Sequence, residues 1–350
     1  MTPLSHPRTG IGNYMLGMLG GLAEVAGERH ELVFFAPTGP RNAGRVREAL
    51  EGIPGERRIV VLPPPSQVWR RLWSRTQRLP VERIVGPLDV FHFSDWMYPP
   101  QRDGLRTTTV HDLGPIHHPE WVDRPTRALH VPKARHAAKT CDLLFANSRY
   151  TADDVERTLG FPGDRIVVAY PGIHARFRPD GPAAELGSPY LFTAASFEPR
   201  KNLETLLDAF ALVRTGRPEL QLLIAGTGPE VEAEGVRLLG YVADEDLPPL
   251  YRAAEAFVFP SLFEGFGIPV VEAMACGTPA VVSSHPSLDE ASGDAAIRVD
   301  PRSPQAIASG IERALAERAA LVPRGIEHAR KFTWRACGEA MLRGYESARA

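Results

Sequence analysis

Residues 256–279 read Ala256-Phe-Val-Phe-Pro260-Ser-Leu-Phe-Glu264-Gly-Phe-Gly267-Ile-Pro269-Val-Val-Glu272-Ala-Met-Ala-Cys-Gly277-Thr-Pro279. The opening apolar run is short and rich in Phe and Val, which fits a buried strand. A loop holding Gly265 and Gly267 follows, and Pro269 suits the first turn of the helix that comes next. Strand, glycine loop and helix in that order are the start of a βα unit and predict a parallel sheet. Backbone N–H groups at a helix start lack intrahelical partners and carry the positive end of the helix dipole, so they bind anions without a lysine. This is where a nucleotide's phosphates would sit. Glu264 and Glu272 flank that helix start, eight positions apart. Ionised carboxylates accept hydrogen bonds from vicinal hydroxyls, so the pair suits a sugar on one side and a ribose on the other. Taken singly, each is equally a capping or solvated acid.

The same alternation extends outward in both directions. In the first half, strands are predicted at Leu32–Ala36, Ile59–Leu62, Asp89–Phe93, Thr107–Val110, Leu143–Ala146 and Ile166–Ala169. A helix is expected after Gly12, where Met15, Leu19, Leu22 and Ala26 recur at helical spacing. A second series begins with Tyr190–Ala195 and continues through Leu220–Ala225, Ala256–Phe259 and Pro279–Ser283, with a helix at Leu203–Val213. Pro171–Ser188, rich in Pro and Gly, separates the two series. The expected division is an acceptor-side domain over 1–178, a nucleotide-binding domain over 179–332 and a C-terminal helix within 333–350. That helix, Trp334–Ala348, could pack on either domain.

Three further segments bear on chemistry. Ser196-Phe-Glu-Pro-Arg200-Lys201-Asn202 sets a basic pair at the carboxyl end of a strand, where a diphosphate would be neutralised, with Asn202 as an N-cap. Gly226 and Gly228 follow another strand, a weak signal alone. Thr9-Gly-Ile-Gly12 looks like a phosphate loop, yet Met1–Arg8 cannot form the strand that should lead into it. Asp244-Glu-Asp246 reads as a helix start and not as a metal site. Between Gln67 and Leu79, Trp69, Leu72, Trp73 and Gln77 share one helical face among Arg70, Arg71, Arg75 and Arg78. Either a membrane-surface helix or an ordinary domain helix fits that pattern.

Composition narrows the classes. The 350 residues carry 40 Lys+Arg against 42 Asp+Glu, so the chain is no bulk polycation and nucleic acid is not an expected partner. Residues 1–178 hold 24 Lys+Arg and 18 Asp+Glu, while 179–350 hold 16 and 24, so the first half could attract an anionic partner. Three scattered cysteines suggest neither disulfides nor zinc and fit a reduced, cytoplasmic setting. No window approaches the roughly 20 apolar residues of a membrane span, and Met1–Gly10 has no apolar signal core.

Together these segments resemble the retaining, nucleotide-sugar-dependent glycosyltransferases of the GT-B fold. The resemblance runs over nearly the whole chain. It rests on Glu264 to Glu272 and Glu198-Pro-Arg-Lys-Asn202, and also on Thr9-Gly-Ile-Gly-Asn13, Val110-His-Asp112, Asn147-Ser148, Tyr170-Pro-Gly172, Gly240-Tyr-Val242 and Leu288-Asp-Glu-Ala291. It implies an α/β chain with two Rossmann-like domains facing across a cleft. Lys201 and Arg200 would neutralise the donor diphosphate, with Gly226 in the same donor site. Glu272 would bind the ribose, and Glu264 would hold the transferred sugar. The backbone of Phe266, Gly267 and Ile268 would meet phosphate or sugar, and that of Val242 the base. Gly12 would approach the diphosphate from the other domain. His111 would sit beside the reacting sugar as a positioning group. The resemblance further implies a GDP- or UDP-linked hexose donor, a sugar or lipid-linked acceptor, retention, no cofactor or metal, and peripheral contact with the inner membrane face.

Two departures stand out. Ala195-Ser196 replaces the Gly-Arg that many members carry, leaving the phosphate charge to Arg200 and Lys201. The expected first strand is missing, which suggests a chain that starts late. Other readings are a degenerate binding or scaffold subunit and a sugar-nucleotide epimerase or phosphorylase, for which no lysine or added carboxylate pattern stands out. A nicotinamide dehydrogenase would need a glycine where Met15 stands.

Overall fold

The computed structural model describes residue 4 and residues 10–55, 57–63, 66–76, 78–94, 98–229 and 231–349. Packing divides the chain into two units, Met1–Gly172 together with Thr333–Ala350, and Ile173–Phe332. The first crossing falls just ahead of the division expected at residue 178.

In the first unit, α1 (Gly10–Ala26), β1 (Leu32–Pro37), α2 (Pro40–Glu51), β2 (Arg57–Leu62), α3 (Ser66–Thr76) and α4 (Glu82–Val85) come first. They are followed by β3 (Val90–His92), β4 (Leu105–Val110), α5 (Gly114–His117), α6 (Arg124–Thr140), β5 (Leu143–Ala146), α7 (Arg149–Leu159) and β6 (Ile166–Val168). Crossover connections, most of them helical, return the chain for parallel pairing. β1 pairs with β2, and β3-β4-β5-β6 form a separate four-stranded parallel sheet. Among the described residues no strand precedes α1. Gly10-Ile11-Gly12 forms the first turn of α1 and not a loop ahead of it; Thr9 lies outside the described residues. The helix extends through these glycines because Gly12, Tyr14 and Met15 continue its buried face.

Of the two readings open for the basic-aromatic segment, the structure supports the ordinary domain helix. Trp73 on α3 is 1% exposed, 5.0 Å from Trp69 and 6.1 Å from Phe35, and its indole N–H donates to the Leu79 carbonyl at 3.2 Å. The aromatic face is therefore core, and Trp73 cannot insert into a membrane; Gln77 and the Arg75 side chain lie outside the described residues. Trp73→Ala is expected to cost about 3–5 kcal/mol in denaturant unfolding. Val68→Ala, at a position 53% exposed, should stay within about 0.5 kcal/mol. Equal midpoints for the two variants would return Trp73 to the surface.

The second unit contains β7 (Tyr190–Ala194), α8 (Leu203–Gly216), β8 (Gln221–Ala225), β9 (Val236–Gly240), α9 (Leu247–Ala253), β10 (Ala256–Phe259) and α10 (Ile268–Ala275). After these come β11 (Ala280–Ser283), α11 (Pro286–Ser292), β12 (Ala296–Val299), α12 (Pro304–Ala316) and α13 (Arg318–Ala329). The six strands run parallel in the order β12-β11-β10-β7-β8-β9. Leu191, Leu222, Ile224 and Val281 pack towards α8 and α12 on one face. Phe192, Leu223, Phe257 and Val282 pack towards α9, α10 and α11 on the other. β12 escapes the sequence reading because Ala-Ile-Arg-Val is short and interrupted by Arg298, which pairs with Asp289.

The last helix, α14 (Trp334–Arg349), belongs to the first unit. It packs on α1 backbone to backbone: a Cβ on Gly21 would fall 1.8 Å from the Trp334 carbonyl oxygen, and one on Gly338 would fall 2.3 Å from that of Gly21. The Tyr345 hydroxyl also shares a hydrogen bond with Nδ1 of the partly buried His92 on β3 at 2.9 Å.

Candidate active site

Strand order in the second sheet reverses at β7 and β10. In parallel α/β sheets such a reversal opens a crevice beyond the carboxyl ends of the strands. Two loops lie there, 195–202 after β7 and 260–267 after β10, and they are cross-linked. Leu262 N–H donates to the Arg200 carbonyl at 2.7 Å. The Asn202 side-chain amide donates to the carbonyls of Pro260 and Pro301 at 3.0 and 2.6 Å. Asn202 occupies the N-cap position of α8, but its side chain makes no capping bond. Its backbone is left-handed (φ 58°), a conformation Asn tolerates better than most residues, and that turn aims the amide across the crevice floor instead of along the helix.

This floor brings the charged residues together. Lys201 Nζ donates to Glu264 Oε1 at 2.6 Å, and Arg200 Nη1 donates to Glu264 Oε2 at 3.1 Å. Arg200 Nε also donates to Glu198 Oε2 at 2.9 Å. Lys201 Nζ stands 4.8 Å from the centre of the Phe259 ring. Burial alone would raise the Glu264 carboxyl, but the charges of Lys201 and Arg200 outweigh it and hold the group below its ordinary value. Burial lowers the Lys201 ammonium, with Glu264 opposing. Behind the loop, Ser287 Oγ donates to the Glu264 carbonyl at 2.8 Å, which ties its backbone to α11.

The next helix begins as the sequence suggests. Gly267 sits at the N-cap of α10 with φ 112°, and Ile268 and Pro269 open the helix. A Cβ on Gly267 would meet Leu288 at 2.6 Å besides being strained. The Phe266 side chain is buried 5.2 Å from Phe332, so only its backbone is available to a ligand. Glu272, inside α10, accepts a hydrogen bond from the Tyr251 hydroxyl at 3.2 Å. Burial pushes its carboxyl up to about 8; the Tyr251 bond and Arg176 work against this, and Asp244 adds to it.

Gly226 donates its N–H to the Gly240 carbonyl at 2.9 Å, and a Cβ there would fall 2.1 Å from the Ala195 carbonyl oxygen. Backbone packing at the strand ends therefore suffices to require glycine. Val242 follows β9 and is partly buried against the core beside α9. Asp246 occupies the N-cap of α9 without a side-chain capping bond, contrary to the expected cap. Among the described residues no three His, Cys, Asp or Glu side chains gather as a metal-binding group.

His111 and Gly12 belong to the first unit. His111 follows β4, 4.5 Å from Tyr14 in an edge-on ring contact. Burial, then the charges of Lys133 and His130, lower its pKa to about 3, so its imidazole is neutral at physiological pH. Asp112 accepts the Gly114 N–H at 2.9 Å and so shapes the turn after the strand.

The family model for Glycosyltransferase Family 4 matches residues 8–177, and that for Glycosyl transferases group 1 matches residues 188–317. The chain is 31% identical to O-antigen chain mannosyltransferase B of Escherichia coli, over 98% of this chain and 97% of that protein. The chain belongs to the group 1 and family 4 glycosyltransferases. Serotype-specific mannosyltransferase WbdA of Escherichia coli is 29% identical over 67% of this glycosyltransferase, which spans only 32% of that relative. Among solved structures, sucrose-phosphate synthase from Thermosynechococcus elongatus has the same GT-B fold, with a TM-score of 0.71 and 20% identity over 97% of this chain and 93% of that one. The sequence reading of this glycosyltransferase missed Tyr251, which bonds the Glu272 carboxylate, and Ser287, which bonds the Glu264 backbone. Neither lies in a motif, and only packing of α9 and α11 on α10 reveals them.

Proposed function

We propose that this glycosyltransferase moves a hexosyl residue, mannosyl from GDP-mannose, to a hydroxyl of a growing polysaccharide or glycolipid, with retention of anomeric configuration and without a metal ion. Two of its relatives are named as mannosyltransferases, one of them of the O-antigen chain, which supports the sugar. The observation that carries the reading is the Arg200–Lys201–Glu264 cluster at the reversal of strand order, beside the start of α10.

In the unliganded protein both cations are engaged with carboxylates. A donor diphosphate competes for them, and Glu264 then has oxygens to offer the sugar hydroxyls. Glu272 holds the ribose, the Val242 backbone meets the base, and Gly226 and Phe266–Ile268 line the path. The bond from C1 to the diphosphate oxygen breaks and the acceptor oxygen bonds C1 on the same face. The acceptor proton passes to the leaving phosphate. Arg200, Lys201 and the first-turn amides of α10 stabilise the charge that develops on that phosphate. Neutral His111 has one hydrogen-bond donor and one acceptor and no positive charge, which suits positioning; Gly12 offers backbone without a side chain. Peripheral contact with an anionic membrane would rest on exposed cations of the first unit, such as Arg45, Arg47 and Arg71, and not on Trp73.

Thermal unfolding with GDP, UDP, ADP and dTDP in chelator tests this. At 100 Kd a ligand adds about 2.7 kcal/mol, or roughly 5–10 °C for a domain of this size. GDP alone should act, and less so on Glu272→Ala. Incubation with GDP-mannose and a mannosyl acceptor should then give an α-linked product by NMR. Equal or absent responses to the four nucleotides, or a β-linked product, would overturn the reading.

A further inference from the structure

Tyr251 has the surroundings of a core residue and one feature that a core residue does not need. Its ring is fully buried, edge-on to Phe192 at 5.1 Å, Phe257 at 5.4 Å and Phe177 at 6.0 Å. Its carbonyl accepts the Thr278 hydroxyl at 2.5 Å, so backbone and ring are both held. A phenylalanine would fill the same space, while a buried hydroxyl must find a partner. That partner is Glu272 Oε2 at 3.2 Å. Burial, with the Glu272 charge adding, holds the phenol well above its ordinary value, so it remains a donor at any working pH.

We propose that Tyr251 is a positioning residue for Glu272: its rigidly caged hydroxyl donates to one carboxylate oxygen and leaves the other to accept the vicinal hydroxyls of the donor's ribose. This rests on the reading of Glu272 as the ribose ligand. A carboxylate on a flexible side chain would lose rotamer freedom on binding; one held in advance by Tyr251 does not. The charged groups facing Glu272 are Asp244 before α9 and Arg176 in the segment after residue 172, with Tyr251 and Cys276 beside them. Because Glu272 titrates near 8, affinity for a ribonucleotide rises as pH rises through that value. Removing the hydroxyl takes away an interaction that favours the ionised form, so the midpoint moves further up.

The test uses GDP or UDP, whichever the wild type binds, and its 2′,3′-dideoxy analogue, titrated calorimetrically from pH 6 to 9. Tyr251→Phe should bind the ribonucleotide about tenfold more weakly, with a higher pH midpoint, and the dideoxy analogue as the wild type does. In a Glu272→Ala background the same change should add nothing. If Glu272→Ala weakens binding but Tyr251→Phe matches wild type in affinity and midpoint, the inference falls and the reading of Glu272 stands. If Glu272→Ala binds as wild type, or neither nucleotide binds, both fall. Should Tyr251→Phe not fold, a crystal structure of the wild type with the bound nucleotide decides: the Tyr251 hydroxyl should stay on one Glu272 oxygen with the ribose hydroxyls on the other. A ribose hydroxyl in the place of Tyr251 on that oxygen overturns the proposal.

Discussion

Replacing Lys201 by methionine is expected to lower kcat by roughly 10²–10³-fold, the usual effect of deleting one preorganised group that meets developing charge. The stem would still cover Phe259, so the variant removes charge more than packing. Its second effect is on stability. Glu264 is buried and accepts from both Lys201 and Arg200; with Lys201 gone it keeps one cation. Leaving a buried charge wholly uncompensated costs about 3–5 kcal/mol, and Arg200 limits the loss to the lower end. The pH dependence has a definite sign. In the wild type the Glu264 carboxyl lies below its ordinary value, so its stabilising contribution is present at neutral pH and is lost only as pH falls through the folded-state value. In the variant one of the two cations that oppose burial is gone and the carboxyl rises relative to the wild type, so the stability deficit is largest at neutral pH and shrinks towards acid. Adding Glu264→Gln should recover melting temperature without recovering turnover. A kcat for Lys201→Met within threefold of wild type would remove Lys201 from the catalytic charge.

The second large effect is expected where no chemistry occurs. Gly21→Val or Gly338→Val should cost about 3 kcal/mol or more, because the added carbons meet backbone, which cannot rotate away. That corresponds to a melting temperature lower by roughly 6–12 °C. Gly20→Ala is the control: its Cβ would meet nothing within 4 Å, and better helix propensity should stabilise α1 by up to about 1 kcal/mol. If the Gly21 variant melts with the wild type, α14 does not pack on α1 through these glycines.

Legibility followed the range of the interaction. The βα order, the glycine loop at 260–267 and the start of α10 at Ile268 can be read from residues a few positions apart, because backbone preference and periodicity act over one or two turns. Asn202 shows the limit. Its residue type suggests an N-cap, and it occupies that position, but its amide is drawn to Pro260 and Pro301 by contacts no local pattern encodes. Trp73 fails in the same way: an amphipathic face announces burial against something, and whether that is lipid or Phe35 depends on the fold.

The sequence by itself determined the alternation of strands and helices, the two series of βα units, and the residue types at each strand end. Tertiary structure alone decided the partners. Lys201 and Glu264 stand 63 residues apart, and they meet because strand order places β7 beside β10. Tyr251 reaches Glu272 because α9 and α10 share a sheet face, and α14 joins the first unit because glycines let it approach α1 closely. Hydrophobic periodicity records which face of an element is buried, but carries no label for the element that buries it; pairing is settled when shape and charge compete across the whole core.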